Sequence, residues 1–249
     1  MSKDGIAIVL LRNGLELSKA CLRTLRAQEP PVGIILAIDN ASTDGTTAWL
    51  RAQPQLYTMT MSEQVSVAAA WNAGLEWAWH MGATKALVVN NDTELLPHTY
   101  QILSRYLDHT IGMATCVSRR ERADVELPDD GFTTADHPDF SCFMIARRAW
   151  EAMGGFDEGY EIAFCEDAEA HARLWALGIG AISINLPFLH VGSATIKAAD
   201  PRERRRIAEA AGRNRERFYR RWGRRIGTHG YDDLFTAERF GKGVPTGGA

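Results

Sequence analysis

Ala86-Leu87-Val88-Val89-Asn90-Asn91-Asp92-Thr93 is a run of four apolar residues that turns polar in a single step. An apolar run without alternation marks a strand covered on both faces, as in a parallel sheet sandwiched between helices. Two earlier stretches repeat the pattern. Gly5-Ile-Ala-Ile-Val-Leu-Leu11 runs into Arg12-Asn13, and Ile34-Ile-Leu-Ala-Ile38 runs into Asp39-Asn-Ala-Ser-Thr-Asp-Gly45, a stretch dense in turn and cap formers. Between the first two lies a helical spacing, Leu17, Cys21 and Leu25, that stops before Pro30-Pro31.

The alternation continues outward. A third strand is expected over 56–61 and a helix over 67–81, ahead of the strand at 86–89. Further helices are expected over 97–107, 147–153 and 166–177, and strands over 111–117, 140–146 and 181–186. Residues 118–138 are polar and acidic without a period and read as a long loop. Repeated βα units predict an α/β fold with a doubly wound, mostly parallel but mixed sheet flanked by helices. Ligands of such sheets bind beyond the C-terminal ends of the strands. The polar clusters Arg12-Asn13, Asp39-Asn40 and Asn90-Asn91-Asp92 all stand at such ends, so they are expected to share one crevice.

With 249 residues, 45% of them hydrophobic and 24% charged, the chain has enough apolar surface for one sizeable core and is not of disordered composition. No stretch reaches the ~20 apolar residues that span a bilayer, and the N-terminus lacks a signal-peptide pattern. A cytoplasmic protein is the expectation, with contact at the membrane periphery left open. The four cysteines (Cys21, Cys116, Cys142 and Cys165) have no metal-ligand spacing and read as reduced, buried thiols.

The net charge of −3 conceals an asymmetry. Residues 201–226 hold eleven arginines against three glutamates, a balance of +8, so the remainder carries −11. On a helix, Ile207, Ala211, Phe218 and Trp222 fall on one stripe with arginines around the rest. Such a segment either docks with a solvated basic face or meets an anionic partner. Nucleic acid, a membrane surface and a phosphate-bearing acceptor all fit. Arg220, Arg221, Arg224 and Arg225 are expected to be exposed.

Asp92, held at the edge of a buried strand, suits a divalent cation shared with a diphosphate, because Mg²⁺ and Mn²⁺ take oxygen ligands and need few from the protein. Alone, each cluster reads as a turn or cap, and Glu166-Asp167 as acids favoured by a helix N-terminus.

Taken in order, Asp39 to Gly45, Asn72, Asn90-Asn91-Asp92, Gly154-Gly-Phe-Asp-Glu158, Glu166-Asp167 with Arg173, and His190-Val-Gly-Ser193 make the chain resemble glycosyltransferase family 2, the inverting group with the GT-A fold. The likeness runs from about Ile6 to Ser193. It implies a transferase domain over 1–196, with 197–249 as a basic helical extension. It implies transfer from a nucleotide-diphosphate-sugar donor to an acceptor hydroxyl with inversion, aided by Mn²⁺ or Mg²⁺. Leu11 and Arg12 correspond to positions near the nucleotide base, Asp39 to the acid that recognises the base, and Asn72 to the donor pocket. Asn90, Asn91 and Asp92 correspond to the DxD motif, with Asp92 as metal ligand. His190 corresponds to a late histidine near the metal or diphosphate, and Asp167 of the Glu166-Asp167 pair to the general base.

The chain departs from the family at three places. Asn90 replaces the first acid of the DxD motif. Gln64 and Ser66 stand where the family commonly has Asn and Gly. Arg12-Asn13 stands where Tyr-Asn is usual, an arginine able to reach a phosphate or stack on a base. Trp71, beside Asn72, is expected either in the core or facing the donor. Two other functions remain open: a sugar nucleotidyltransferase, and a nucleic-acid- or membrane-binding protein with a degenerate transferase body. The acceptor is expected to be anionic or polymeric (a glycan, a lipid-linked chain or nucleic acid).

Overall fold

A computed structural model describes residues 5–128, 131–135, 139–192, 196–197 and 199–226. Ser193 of the expected late motif and 227–249 of the expected extension lie outside the described residues.

Strand β1 (Ile6–Leu11) is buried along its whole length. Its residues alternate between two cores. Ile6, Ile8 and Leu10 face one core with Trp71, Leu75 and Leu174; Ala7, Val9 and Leu11 face the other with Leu22, Leu25 and Leu103. This is why the run shows no polar alternation. Helix α1 (Leu15–Arg26) covers the second face and α3 (Val67–His80) the first. Where α3 crosses the sheet, a Cβ on Gly74 would lie 2.5 Å from Cδ1 of Ile38 and 3.0 Å from Cγ2 of Ile8, so only glycine permits this approach.

Strands β2 (Ile34–Asp39), β3 (Tyr57–Thr60) and β4 (Lys85–Asn90) join β1 in parallel, in the order β3-β2-β1-β4. Helix α2 (Thr46–Arg51) links β2 to β3, and α4 (Thr99–Tyr106) packs beyond β4. Past β4 the sheet becomes mixed. β8 (Cys142–Ala146) runs antiparallel to β4 and to β6 (Ile111–Arg119), and β9 (Gly180–His190) lies parallel to β6. Two short strands add antiparallel to β9, β5 (Thr93–Glu94) at its C-terminal end and β7 (Thr134–Ala135) at Ser183 and Ile184. Helices α5 (Arg147–Met153) and α6 (Glu166–Ala176) complete the body.

The expected loop 118–138 is shorter than the sequence reading, because β6 continues to Arg119, a single 3₁₀ turn follows at Arg122–Asp124, and β7 pairs with β9. β9 likewise outruns its expected end at Leu186. Pro187 lacks an N–H for a ladder, yet the strand continues through it, with a register shift between Thr115 and Val117 of β6. The four cysteines are buried free thiols, and no helix among the described residues is long and apolar enough to cross a membrane.

Helix α7 (Pro201–Trp222) begins with Pro201 after Asp200, whose carboxylate accepts from the N–H groups of Arg202 and Glu203. Its stripe of Ile207, Ala210, Ala211, Asn214 and Phe218 is buried against the body. Three of its arginines end on carboxylates of that body. Arg213 forks onto Glu161, and Arg217 pairs with Asp157. Of the four arginines expected to be exposed, Arg224 is half-buried while Arg220, Arg225 and Arg221 are exposed, and Arg221 is nonetheless engaged with the body. It bridges Asp157 and the fully buried Glu169, each at 3.2 Å, and Glu169 is also held by Arg173. Part of the +8 segment is therefore counter-charge to the acidic body. Arg202, Arg204 and Arg215 are exposed and form no ion pair among the described residues.

Candidate active site

The register explains why the polar clusters converge. Leu11 pairs with Asp39 and Leu10 with Asn90, so the three parallel strands end level with one another where the strand order reverses about β1. The Asn90 N–H donates to Ser141 O, which brings residues 139–141 to the same edge. A cavity of about 580 Å³ opens there.

Asp92 and His190 form one side of it. β5 pairs antiparallel with the end of β9, Thr93 opposite His190, and the Val191 N–H donates to Asp92 O. These backbone bonds bring Nε2 of His190 within 3.3 Å of Oδ1 of Asp92. Asn90 and Asn91 line the same side. The Asn91 amide donates to Asn13 O at 2.8 Å and to Ser18 Oγ at 2.9 Å, tying the turn after β4 to the start of α1.

Glu166 and Asp167 line the other side, at the first turn of α6. Burial is the main effect on both. It pushes Asp167 above its ordinary value, against the Ala168 N–H, which lowers it. It pushes Glu166 well above its ordinary value, with the neighbouring Asp167 charge adding to the rise. Oε2 of Glu166 and Nε1 of Trp71 are buried without a hydrogen-bond partner. Both residues line the cavity, and an orphaned polar atom costs about 1–3 kcal/mol unless something else satisfies it. Groups of a bound polar ligand would do so.

Other expected residues are committed inside the fold. Asp39 is fully buried, accepting from the Ser42 N–H at 2.9 Å and from the Thr47 hydroxyl. Leu11 is buried beneath the cavity edge, whereas Leu10 lines it. Asn72 uses both ends of its amide to hold the following loop: it donates to Phe156 O and Glu158, and accepts from the N–H groups of Phe156 and the Trp150 ring. Arg12 lines the cavity, donates to Asn40 O and Ala41 O, and lies 3.4 Å from Glu203 of α7. Trp71 is 2% exposed in a cluster with Phe143 and Phe156, so core packing dominates its role.

Sequence reading missed several wall residues. Asp139, whose charge bears on Asp167, sits just before β8. Ile162, Ala163 and Phe164 form a third wall, and Glu203 and Ile207 of α7 a fourth. Residues 162–165 have an uncommon backbone. Ile162, Phe164 and Cys165 have φ of 56°, 79° and 75°, a left-handed conformation costing side chains of the order of 1–3 kcal/mol each. No glycine in this stretch signals it, which is why the sequence hid it.

No known family's sequence profile matches the chain, and no curated protein sequence does. Solved structures do. The mannosyltransferase PcManGT from Pyrobaculum calidifontis, in complex with GDP-Man and Mn²⁺, matches with TM-score 0.60 and 19% identity over 76% of this chain and 59% of that one. GalNAc-T7 with UDP, GalNAc and Mn²⁺ matches with TM-score 0.61 and 11% identity over 75% of this chain and 43% of that one. TarS 1–349 of S. aureus matches with TM-score 0.53 and 15% identity over 76% and 58%. The chain thus spans about half the length of these structures. The likeness is one of architecture, and the chain has the GT-A type α/β fold.

Proposed function

We propose that the chain is an inverting glycosyltransferase that moves a sugar from a nucleotide-diphosphate donor to an acceptor hydroxyl with the help of Mn²⁺ or Mg²⁺. One observation carries this reading: a carboxylate–imidazole pair, Asp92 and His190, and a carboxyl pair, Glu166 and Asp167, line a single cavity at the strand ends of a fold shared with glycosyltransferases.

The side chains fit the cation. Among the described residues no three Asp, Glu, His or Cys groups cluster, so Asp92 and His190 would hold it with phosphate oxygens completing the shell, as a hard divalent ion accepts. When bound, the cation supplies Lewis-acid stabilisation of the departing diphosphate. Asn90, Asn91 and Arg12 would border the donor with Leu11 buried beneath them, Asp39 would shape the base-binding turn, and Asn72 would shape the donor pocket through the 155–158 loop. Asp167 takes the proton from the acceptor hydroxyl as its oxygen attacks the anomeric carbon and the bond to the diphosphate breaks. Its raised pKa suits a base that must hold the proton for a moment. One base and one displacement give inversion. Glu166, whose pKa burial pushes well above its ordinary value, presents its unpartnered Oε2 to a sugar or acceptor group.

The acceptor is proposed to be anionic or polymeric, on the ground of the exposed Arg202, Arg204 and Arg215, which form no ion pair among the described residues. The extension is taken to begin near residue 197. A nucleotidyltransferase is less well supported, because Arg12-Asn13-Gly14 is short for the basic, glycine-rich loop that such enzymes carry after the first strand.

The test is thermal unfolding with UDP-, GDP- and dTDP-sugars, with and without Mn²⁺. A donor present at 100 times its Kd stabilises by about 2.7 kcal/mol, or several degrees for a chain of this size. Metal-dependent stabilisation by one donor supports the reading. A binding module with a degenerate body shows none.

A further inference from the structure

Ile162, Ala163 and Phe164 line the cavity, and one side-chain amide from α7 makes four hydrogen bonds to the backbone of 161–164. The backbone of residues 161–165 leads directly into Glu166-Asp167. Its left-handed Ile162, Phe164 and Cys165 would relax to ordinary φ values if released, and for the β-branched Ile162 the conformation is a genuine outlier. Asn214 of α7 opposes that relaxation. Its Nδ2 donates to Glu161 O at 2.8 Å and to Ala163 O and Phe164 O at 3.0 Å each, and its Oδ1 accepts from the Glu161 N–H at 2.9 Å. Three carbonyls on one side and one N–H on the other fix the amide's orientation. The side chain is 1% exposed, so water does not compete for these bonds. Two further backbone bonds tie the stretch: the Val67 N–H donates to Ile162 O at the start of α3, and the Glu169 N–H of α6 donates to Cys165 O. The ion pair of Arg213 reaches only the Glu161 side chain.

We propose that Asn214, in the C-terminal helix, is a positioning residue: it holds the left-handed 161–165 stretch so that Glu166 and Asp167 face the cavity. Helix α7 is then part of the active site's framework and not only a basic appendage. This rests on the transferase reading, because only there does the placement of Asp167 set a rate.

Asn214→Asp keeps the size and the acceptor for Glu161 N–H, but sets a carboxylate against three carbonyls. Displacing a catalytic group by about 1 Å costs up to ~10²-fold in rate. Donor turnover is expected to fall about tenfold or more in kcat, while KM for the donor and the Mn²⁺-dependent thermal shift stay within about twofold, because the Asp92–His190 side is untouched. Hydrogen exchange at Glu166 to Ala168 should rise with α1 and α3 unchanged. Arg213→Gln, which removes the neighbouring ion pair and leaves the backbone bonds, should keep the wild-type kcat. Asn214→Ser, which retains one hydroxyl, is the fallback if the aspartate variant does not fold, and the same split is expected of it. A folded Asn214 variant with wild-type kcat overturns this inference alone, as does an Arg213→Gln variant equally slow. A wild type that turns over no donor overturns the transferase reading and this inference with it.

Discussion

Oδ1 of Asp92 lies 3.3 Å from Nε2 of His190, and the two meet because the two-residue strand β5 pairs with the last residues of β9. The backbone ladder sets the pair, so it does not depend on a loop finding its place. Asp92→Ala and His190→Ala should therefore leave the fold standing, with Tm changing by only a few degrees. Each should erase Mn²⁺-dependent stabilisation by the donor, because under the proposed function each removes one of the two side chains that would hold the cation, which forfeits several kcal/mol of charge stabilisation. Isothermal titration of Mn²⁺ with nucleoside diphosphate present reads this directly. Unchanged metal affinity in either variant moves the metal elsewhere.

Asp167→Asn keeps the shape and removes the proton acceptor. kcat should fall about 10²-fold or more with the donor KM little changed. In the wild type, kcat should drop as pH falls through a value above the ordinary carboxylate range, since burial raises the Asp167 pKa and only the ionised form is a base. An acidic limb at an ordinary carboxylate value would place the base elsewhere.

Glu166 gives a stability prediction with a definite sign. Its folded pKa lies well above its ordinary 4.5, so the folded chain holds the proton more tightly than the unfolded chain. No penalty is felt below about pH 4.5, and stability falls as pH rises from there towards the folded value. Glu166→Gln removes the penalty. Its Tm should match the wild type near pH 4 and exceed it at neutral pH. Thermal melts across that range decide, and a gain that is larger at low pH contradicts the burial argument.

How much of this was legible beforehand follows from what encodes each part. The unalternating runs at 6–11, 34–38 and 86–89 announced strands buried on both faces, and three polar clusters at their ends announced the crevice. The far half of the sheet was less readable. β5 and β7 are two residues each, too short to have a period, and the last strand was expected to end at Leu186, so the backbone pairing of Thr93 with His190 left no trace in the sequence pattern. The left-handed turn at 162–165 carries no glycine. Arg221, which reaches the buried Glu169, could not be told from Arg220, which pairs within its own helix, because charge partners are set by tertiary packing and leave no periodic trace.

That contrast is itself testable. Arg173→Ala strands the fully buried Glu169 with less compensation and should cost about 3 kcal/mol. Arg221→Ala, a partly exposed bridge to the same carboxylate, should cost about 1 kcal/mol. Arg220→Ala removes an exposed pair with Glu216 and should stay within about 0.5 kcal/mol. Urea denaturation ranks the three, and equal costs would mean that α7 docks by its apolar stripe alone.

Arg202, Arg204 and Arg215 are expected to meet the acceptor or an anionic surface. Binding of the wild type to anionic liposomes and to DNA should be measurable at low salt and fall steeply as salt is raised. Reversing Arg202, Arg204 and Arg215 to Glu should abolish it without lowering Tm, since these residues are exposed. No binding to either at low salt would leave α7 with its structural role only.

The most direct measurement is release of nucleoside diphosphate from UDP-, GDP- and dTDP-sugars by the purified chain, with and without Mn²⁺, beside Asp92→Ala and Asp167→Asn. The cavity predicts release from one donor class that requires the cation and falls about 10²-fold or more in each variant. Release from no donor, or release at the wild-type rate by a folded Asp92→Ala, would contradict it.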